Sequence, residues 1–491
     1  MMGRQPDTQQ KLFYTCLNLD KRIRKDHVLR KINSHIDFDF IYKQVEDLYG
    51  SNGNVSVPPP VILKMMFLLI FYNVRSEREL MQTIPERLDW LWFLGYDLDD
   101  DIPHHSVLSK ARLRWGKKAF KYFFEHIVLQ CAEAGLIDGS KIFADASLVQ
   151  ADASNNSVVN QQALKRYLNK SYRELEARLE QEKDILPKKG KANSKHISST
   201  DPDASMARAG AGRSKLQYKI HRTVDERAEV ITATDVTTGE TNEAHLLTTL
   251  IDQHEVNTGK QVKTAVADSK YGTIDNYLAC HDRNIAPHFD SFDKGHKGSG
   301  RRKGIFEPSD FVYKPDKDHF ICPAGNILEP RKFKTKRNQY EYSLPATVCN
   351  NCPLKPQCTR SKTGRTLKRH LRQDDLDKML IQSESSISKR DICKRQHLME
   401  RSYARSKRYG YKRARWRRLW RVQIQEYLTA SIQNIMVLIK YIKEQDRAAA
   451  RIRPPIHARH LFRDSYLNIY SLIERQLLLF GYWFGQQPVE L

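Results

Sequence analysis

Three carboxylates far apart in the chain are the residues best suited to chemistry: Asp145 inside a strand-like run, Asp268 at the end of another, and Glu400 in a strongly basic stretch. Hard oxygen ligands hold Mg²⁺, and two such ions about 3.5 to 4 Å apart activate a nucleophile on one side of a phosphodiester and stabilise the leaving oxygen on the other. Open α/β sheets present ligands at strand ends, which suits Asp145 and Asp268 as a pair, although each taken singly reads as a turn or cap residue. From Lys394 to Arg421 the basic residues Lys394, Arg395, Arg401, Arg405, Lys407, Arg408, Lys412, Arg413, Arg415, Arg417, Arg418 and Arg421 surround one acid, Glu400. That field keeps a carboxylate ionised, as a metal ligand beside a phosphate track requires; a simple ion pair with Arg401 or Arg405 is the structural alternative. Tyr403, Tyr409, Tyr411, Trp416 and Trp420 are interleaved as surfaces on which bases can stack.

A second group of residues points to a different metal. Cys322 opens a Cys-Pro-Ala-Gly turn, and Cys349, Cys352 and Cys358 follow in a short span. Four thiolates in this spacing suit a tetrahedral structural Zn²⁺, with free thiols as the bland alternative. Only one Cys-x2-Cys pair is present, so His319 is an alternative ligand, and an iron–sulfur cluster would use the same thiolates.

The whole chain must position these groups. Its 491 residues suggest roughly three domains. Lys+Arg of 82 against Asp+Glu of 58 leaves a net charge of +24, which calls for a polyanionic partner such as nucleic acid. The longest apolar run, Val61 to Tyr72, contains Lys64 and falls short of the roughly 20 residues that span a bilayer, and the first residues carry no apolar core of a signal peptide. An intracellular, soluble protein without a membrane partner is therefore expected, and with 40% hydrophobic residues it has a real core.

Residues 1–136 read as helical. Ser76-Glu77-Arg78-Glu79 has capping-box form, and after a break at Asp97 to Pro103 a short basic helix from Ser106 to Trp115 carries Lys110, Arg112 and Arg114. That order is compatible with a helix-turn-helix whose second element enters a DNA groove, or with a helical bundle that has a solvated basic face. The period then changes. Ile142 to Val149 reads as a strand, Leu216 to Val224 and Ala228 to Val236 as a hairpin, and Gln261 to Ala267 and Ile285 to His288 as further strands. Helices fall around Glu243 to His254 and Ile274 to His281. The resulting division is a helical N-terminal DNA-binding part (1–136), the first part of an α/β core (137–291) with a charged insertion at about 151–205, a basic cysteine-containing insertion (292–390), the last core helices with Glu400 (391–445) and a helical tail (446–491). No Walker-type phosphate loop occurs.

Several stretches in this order carry a resemblance: Pro59-Pro60-Val61-Ile62-Leu63-Lys64, Trp92-Phe93-Leu94-Gly95, Phe143-Ala144-Asp145-Ala146-Ser147, Ser199-Thr200-Asp201-Pro202-Asp203-Ala204, Ala267-Asp268-Ser269-Lys270-Tyr271-Gly272 and Met399-Glu400-Arg401. From Pro58 to about Lys440 the chain resembles the DDE transposases of bacterial insertion sequences, in the group with an InsH-like helical N-terminal domain. The resemblance implies a ribonuclease-H-like mixed sheet, catalytic Asp145, Asp268 and Glu400, two Mg²⁺ (or Mn²⁺) ions, cleavage at element ends and strand transfer into target DNA. Its partners would be double-stranded terminal inverted repeats and target DNA, handled by a homodimer or higher synaptic assembly in the cytoplasm at the nucleoid. Related transposases place Tyr and then Arg ahead of the Glu and a Lys seven residues after it; here Cys393 and Gln396 fill the first two places, Arg395 stands one residue out of register, and Lys407 fits the third. Arg401, Lys407, Arg413, Arg415, Arg417 and Arg418 are expected along DNA phosphates. A related nuclease without strand transfer and a domesticated, inactive DNA-binding protein are the rival readings.

Overall fold

The structure, a computed structural model, describes residues 2–3, 18–160, 193, 196–208, 212–290 and 304–452. Residues 1–435 form one compact unit and 436–491 a second, whose described part is helical. The expected charged helix ending near Asp184 and the hydrophobic helix pair ending at Phe484 lie outside the described residues.

The N-terminal region contains the helices Leu19–Arg22, Val28–His35, Ile41–Val45, Pro59–Phe71, Glu77–Thr83, Leu88–Leu94 and Ser106–Glu133. Pro59 and Pro60 open the fourth helix where missing N–H groups do no harm, and every residue from Pro59 to Ile70 except Lys64 is buried. A helix apolar on all sides must be enclosed, and the others enclose it. Phe38 meets Phe67 and Phe93 edge-on at 6.1 and 5.8 Å between centroids. Ser76 caps its helix by accepting from Glu79 N, while Glu79 reaches back to Arg75 N rather than to Ser76.

The helix-turn-helix expectation is corrected here. The connection after Leu94 occupies residues 95–105, where such a motif has three or four, and the basic helix does not end at Trp115. It continues across a kink at Gly116, at φ 62°, into the apolar run of Phe120, Phe123 and Phe124. Arg112, expected on DNA, faces inward and is 4% exposed. Its Nη2 lies 2.5 Å from Glu77 Oε1, and its guanidinium stacks 4.1 Å over the Trp416 ring.

The central sheet begins with β1 (Lys141–Gln150). The short strands β2 (Val158–Asn160) and β3 (His196–Ser198) pair with each other apart from it. β4 (Ser205–Ala207) and β6 (Ile231–Thr238) both flank β5 (Lys215–Asp225), which runs antiparallel to β1. On the other side β7 (Thr264–Ala267) and β8 (Ala286–Phe289) continue in parallel, giving the order β5-β1-β7-β8. Alternation along β1 sorts its residues onto two faces. Ile142 and Ala144 pack with Leu247, Ile251 and Tyr277 of the helices Leu247–Thr258 and Ile274–Asp282. Val149, on the other face, packs with Tyr218, Ile220, Tyr411 and Val422. That second face is covered by the helix Ser386–Arg408 and by the first turns of the helix Leu419–Ile452.

A separate antiparallel sheet follows, with β9 (Val312–Lys314), β10 (His319–Ile321), β11 (Ile327–Lys334), β12 (Gln339–Ser343) and β13 (Thr366–His370) in reverse spatial order. Sequence patterning reads this stretch as irregular. The reason is that β11 buries only Leu328 along its length, so no apolar alternation marks it. Among the described residues no helix is long and apolar enough to cross a membrane.

Candidate active site

β1 and β7 pair in parallel with Lys141 opposite Thr264, Ile142 opposite Ala265 and Phe143 opposite Val266. Two residues further along each strand stand Asp145 and Asp268, level with one another. Because Ala144, Ala265 and Ala267 belong to the opposite face, both carboxylates share the face covered by the Ser386–Arg408 helix. Asp268 ends its strand by capping the turn Ser269–Tyr271, its Oδ1 accepting from Lys270 N at 3.1 Å. Asp145 accepts from Ala146 N at 2.8 Å.

Burial pushes Asp145 up to about 6; Arg395 and the Ala146 amide oppose the rise, and Asp268 and Glu243 add to it. Asp268 is also raised, by burial and then by Glu243, with Arg395 and Lys270 working against it. Two raised acids on one face form a site that favours a compensating positive charge. In the structure that charge is Arg395, whose Nη1 lies 2.8 Å from Asp145 Oδ2. The buried hydroxyl of Tyr271 has no hydrogen-bond partner among the described residues, and its pKa is raised by burial and then by Asp145.

The Ser386–Arg408 helix is registered on the sheet by a stripe of polar contacts. Asp391 accepts from Lys141 Nζ at 3.2 Å and meets His288 Nδ1 at 2.7 Å; Arg395 takes Asp145; Tyr403 O–H donates to the Asp145 carbonyl at 2.9 Å. Glu400 is off this stripe. At 100° per residue it lies about 140° around the helix from Arg395, it is exposed, and its Oε1 accepts from Gln396 at 3.2 Å. No hydrogen bond or ion pair joins it to Asp145 or Asp268. Among the described residues no three His, Cys, Asp or Glu side chains stand together as a metal-holding group.

Glu243, which the sequence suggests only as the start of a helix, has no place among the expected site residues. It is 3% exposed at the start of the turn Glu243–Leu246, with Lys270 Nζ at 2.7 Å and Lys219 Nζ at 3.4 Å. An acid just after a helix-capping Asn242 is ordinary in sequence, and only the fold brings it beside the pair.

Two family matches bear on this geometry. A family described as "Transposase domain (DUF772)" matches residues 17–114, and one described as "Transposase DDE domain" matches residues 321–439. The two matches, on separate parts of the chain, support a DDE transposase of an insertion sequence. No curated protein and no solved structure matches it. The first match covers the N-terminal helices of the transposase through Arg114, and the second includes part of the cysteine-bearing sheet and all of the Ser386–Arg408 helix.

The basic residues expected on DNA separate into two sets in the transposase. Lys110, Arg114 and Lys407 are exposed, with Arg114 lying over the Tyr49 ring. Arg401 is exposed but held by Glu229 at 2.6 Å, as is Arg405, so neither pairs with Glu400. Arg413 and Arg417 are about half exposed and share Asp152, at 3.0 and 3.2 Å. Two expectations are corrected. Arg418 is 7% exposed, with its Nε 3.6 Å from Asp203, and Arg415 Nη2 donates to Asn73 Oδ1 at 2.6 Å. These two, like Arg112, fasten the segment after Glu400 to the body of the protein. The Asp201-Pro202-Asp203 stretch does the same, since Asp201 accepts from Arg418 N and Asp203 from Leu419 N.

Proposed function

We propose that this transposase cleaves DNA at the ends of its element and joins the freed ends to target DNA, using Asp145 and Asp268 as the central metal ligands. The observation that carries the reading is the β1–β7 register, which sets the two acids level on one face of the sheet. The order β5-β1-β7-β8, with an antiparallel β5–β6 hairpin and parallel β1, β7 and β8, agrees with the expected ribonuclease-H-like sheet and supports the same reading.

The acid pair fits Mg²⁺ or Mn²⁺ in ligand type and in the repulsion between its two buried carboxyls, which a divalent ion would relieve. A divalent ion bound there supplies the charge that activates the attacking oxygen and stabilises the leaving one. The protein's own residues do the positioning. Arg395 neutralises Asp145, and Glu243 holds the Lys270 ammonium, whose charge works against the raised pKa of Asp268. Glu400, five residues after Arg395 on the same helix, would be the third ligand of such an ion.

Cleavage of a duplex carrying the element's ends tests this. Asp268→Ala should abolish cutting while end binding stays within a few-fold, since a metal ligand and not a phosphate contact is removed. Full activity in that variant overturns the reading. Cut ends with no joined product in the wild type would reduce the function to hydrolysis.

A further inference from the structure

The sheet built by residues 304–370 is poorly supplied with core. Its buried hydrophobic residues are Phe311, Leu328, Tyr342 and Leu367, and much of β11 is exposed. Modules below about 70 to 80 residues rarely gain enough from burial alone and are usually held by disulfides or a metal. Cys322, Cys349, Cys352 and Cys358 are all unpaired thiols.

Those four cysteines line one cavity, although their thiols do not stand at ligating distance from a common point. Cys322 sits in a tight turn between β10 and β11, where its carbonyl accepts from Gly325 N at 2.8 Å and its N–H donates to Asn326 O at 2.9 Å. Cys349 lies in the short helix Ala346–Asn350, Cys352 follows it, and Cys358 ends the short helix Lys355–Cys358. All four line one cavity of about 30 Å³, whose other walls include the apolar side chains of Phe311, Leu328 and Val348. The loop at Gly364, with φ 88°, closes on the group so tightly that a Cβ there would lie 2.8 Å from Cys349 Sγ. His319 is outside this cavity, on β10 with its ring toward the Lys317 carbonyl, and so leaves the ligand set.

We propose that Cys322, Cys349, Cys352 and Cys358 bind one structural Zn²⁺ ion that holds the 304–370 sheet together. The β10–β11 turn, the two short helices and the link between them place all four cysteines around one cavity, and four thiolates are the donor set of a tetrahedral structural zinc site. The thiols turn inward by side-chain rotation to reach ligating distance. On binding, four S–H protons are released and four S–Zn bonds form, so the ion replaces the missing hydrophobic core as the source of folding free energy. This inference is independent of the acid pair and its chemistry.

The test uses the full-length chain purified without chelator. Elemental analysis should give about one zinc and no iron per chain. The Co²⁺-substituted protein should show the absorption of tetrahedral thiolate coordination. Cys349→Ser combined with Cys352→Ser should bring the zinc content close to zero, whereas Asp268→Ala should leave it unchanged. If the double variant does not fold, the wild-type metal content and the cobalt spectrum still decide. Wild-type protein without zinc, whose four thiols react freely with a thiol reagent, overturns the proposal, and so does an iron chromophore.

Discussion

Arg222 and Glu426 meet with neither side chain exposed, Nε 2.6 Å from Oε1 and Nη2 2.9 Å from Oε2. Arg222 is the β5 residue directly opposite Asp145, so the pair fastens the Leu419–Ile452 helix to the strand beside the acid pair. Glu426 also accepts from Thr234 Oγ1 at 2.6 Å, and Arg222 donates to Ser402 Oγ at 3.3 Å. Burial works against the Arg222 charge, and Glu426 more than restores it. Strands β5 and β6 and both helices on that face are thus joined at one ionic centre.

Removing one partner leaves the other charged and buried. Glu426→Ala should lower unfolding free energy by about 3 to 5 kcal/mol, while Arg222→Met with Glu426→Leu should recover most of that loss. Denaturant unfolding of the two variants measures both quantities. A loss below about 1 kcal/mol in the single variant would mean that water reaches the site and that the pair is not what joins these elements.

Arg395 is expected to compete with metal for Asp145. Arg395→Gln should therefore strengthen Mn²⁺ binding to the DNA-free protein by roughly tenfold, equivalent to about 1.4 kcal/mol. Calorimetry on the two proteins reads this directly, with Asp145→Asn as the control that should bind poorly. Weaker binding in Arg395→Gln would mean that the guanidinium organises the site instead of guarding it.

Asp201 gives a pH dependence away from the acid pair. It is fully buried, accepts from Tyr218 O–H at 2.7 Å and from Arg418 N at 2.9 Å, and is pushed up to about 6 by burial. Between the ordinary carboxylate value near 4 and this value, the folded chain keeps a proton that the unfolded chain has lost. Stability contributed by protonated Asp201 is accordingly present below about 4 and lost as pH rises through 6. Asp201→Asn, which can still accept from Tyr218, should flatten that decline by about 1 to 3 kcal/mol across the window. Parallel stability curves for the two proteins from pH 4 to 7 would show that Asp201 does not titrate there.

Much of the central sheet is legible in the sequence because its strands are apolar runs bounded by turn residues, as from Ile142 to Val149 and from Leu216 to Val224. The level placement of Asp145 and Asp268 is not. It depends on a three-residue parallel register that no local pattern encodes. Charge runs are the least legible feature, since composition does not tell which side of a helix faces the protein. Arg112 and Trp416, more than three hundred residues apart, each look like DNA-binding residues until they are found stacked on one another.

That stacking reshapes the expected DNA track. Arg413 bridges to Gln150 at the far end of β1, five residues from Asp145 and so about 17 Å along the strand, or about five base pairs of duplex. It shares the single Asp152 carboxylate with Arg417, which leaves one surplus positive charge at that point. Lys407 is exposed on the covering helix. If a duplex seats on the acid pair, Arg413, Arg417 and Lys407 are the basic residues expected to meet it. Neutralising all three with Gln should weaken binding to any sequence. The slope of log K against log salt should become shallower by up to about 0.9 for each phosphate no longer neutralised, and by roughly twice that in all. Arg415→Gln with Arg418→Gln should instead lower stability and leave the slope alone, because those side chains hold Asn73 and Asp203. Preference for the element's ends should survive the triple variant if base reading resides in the N-terminal helix bearing Lys110 and Arg114. Binding to end and random duplexes over a salt series distinguishes the outcomes: an unchanged slope removes the track, and a shallower slope with lost end preference would move the sequence reading to the segment after Glu400.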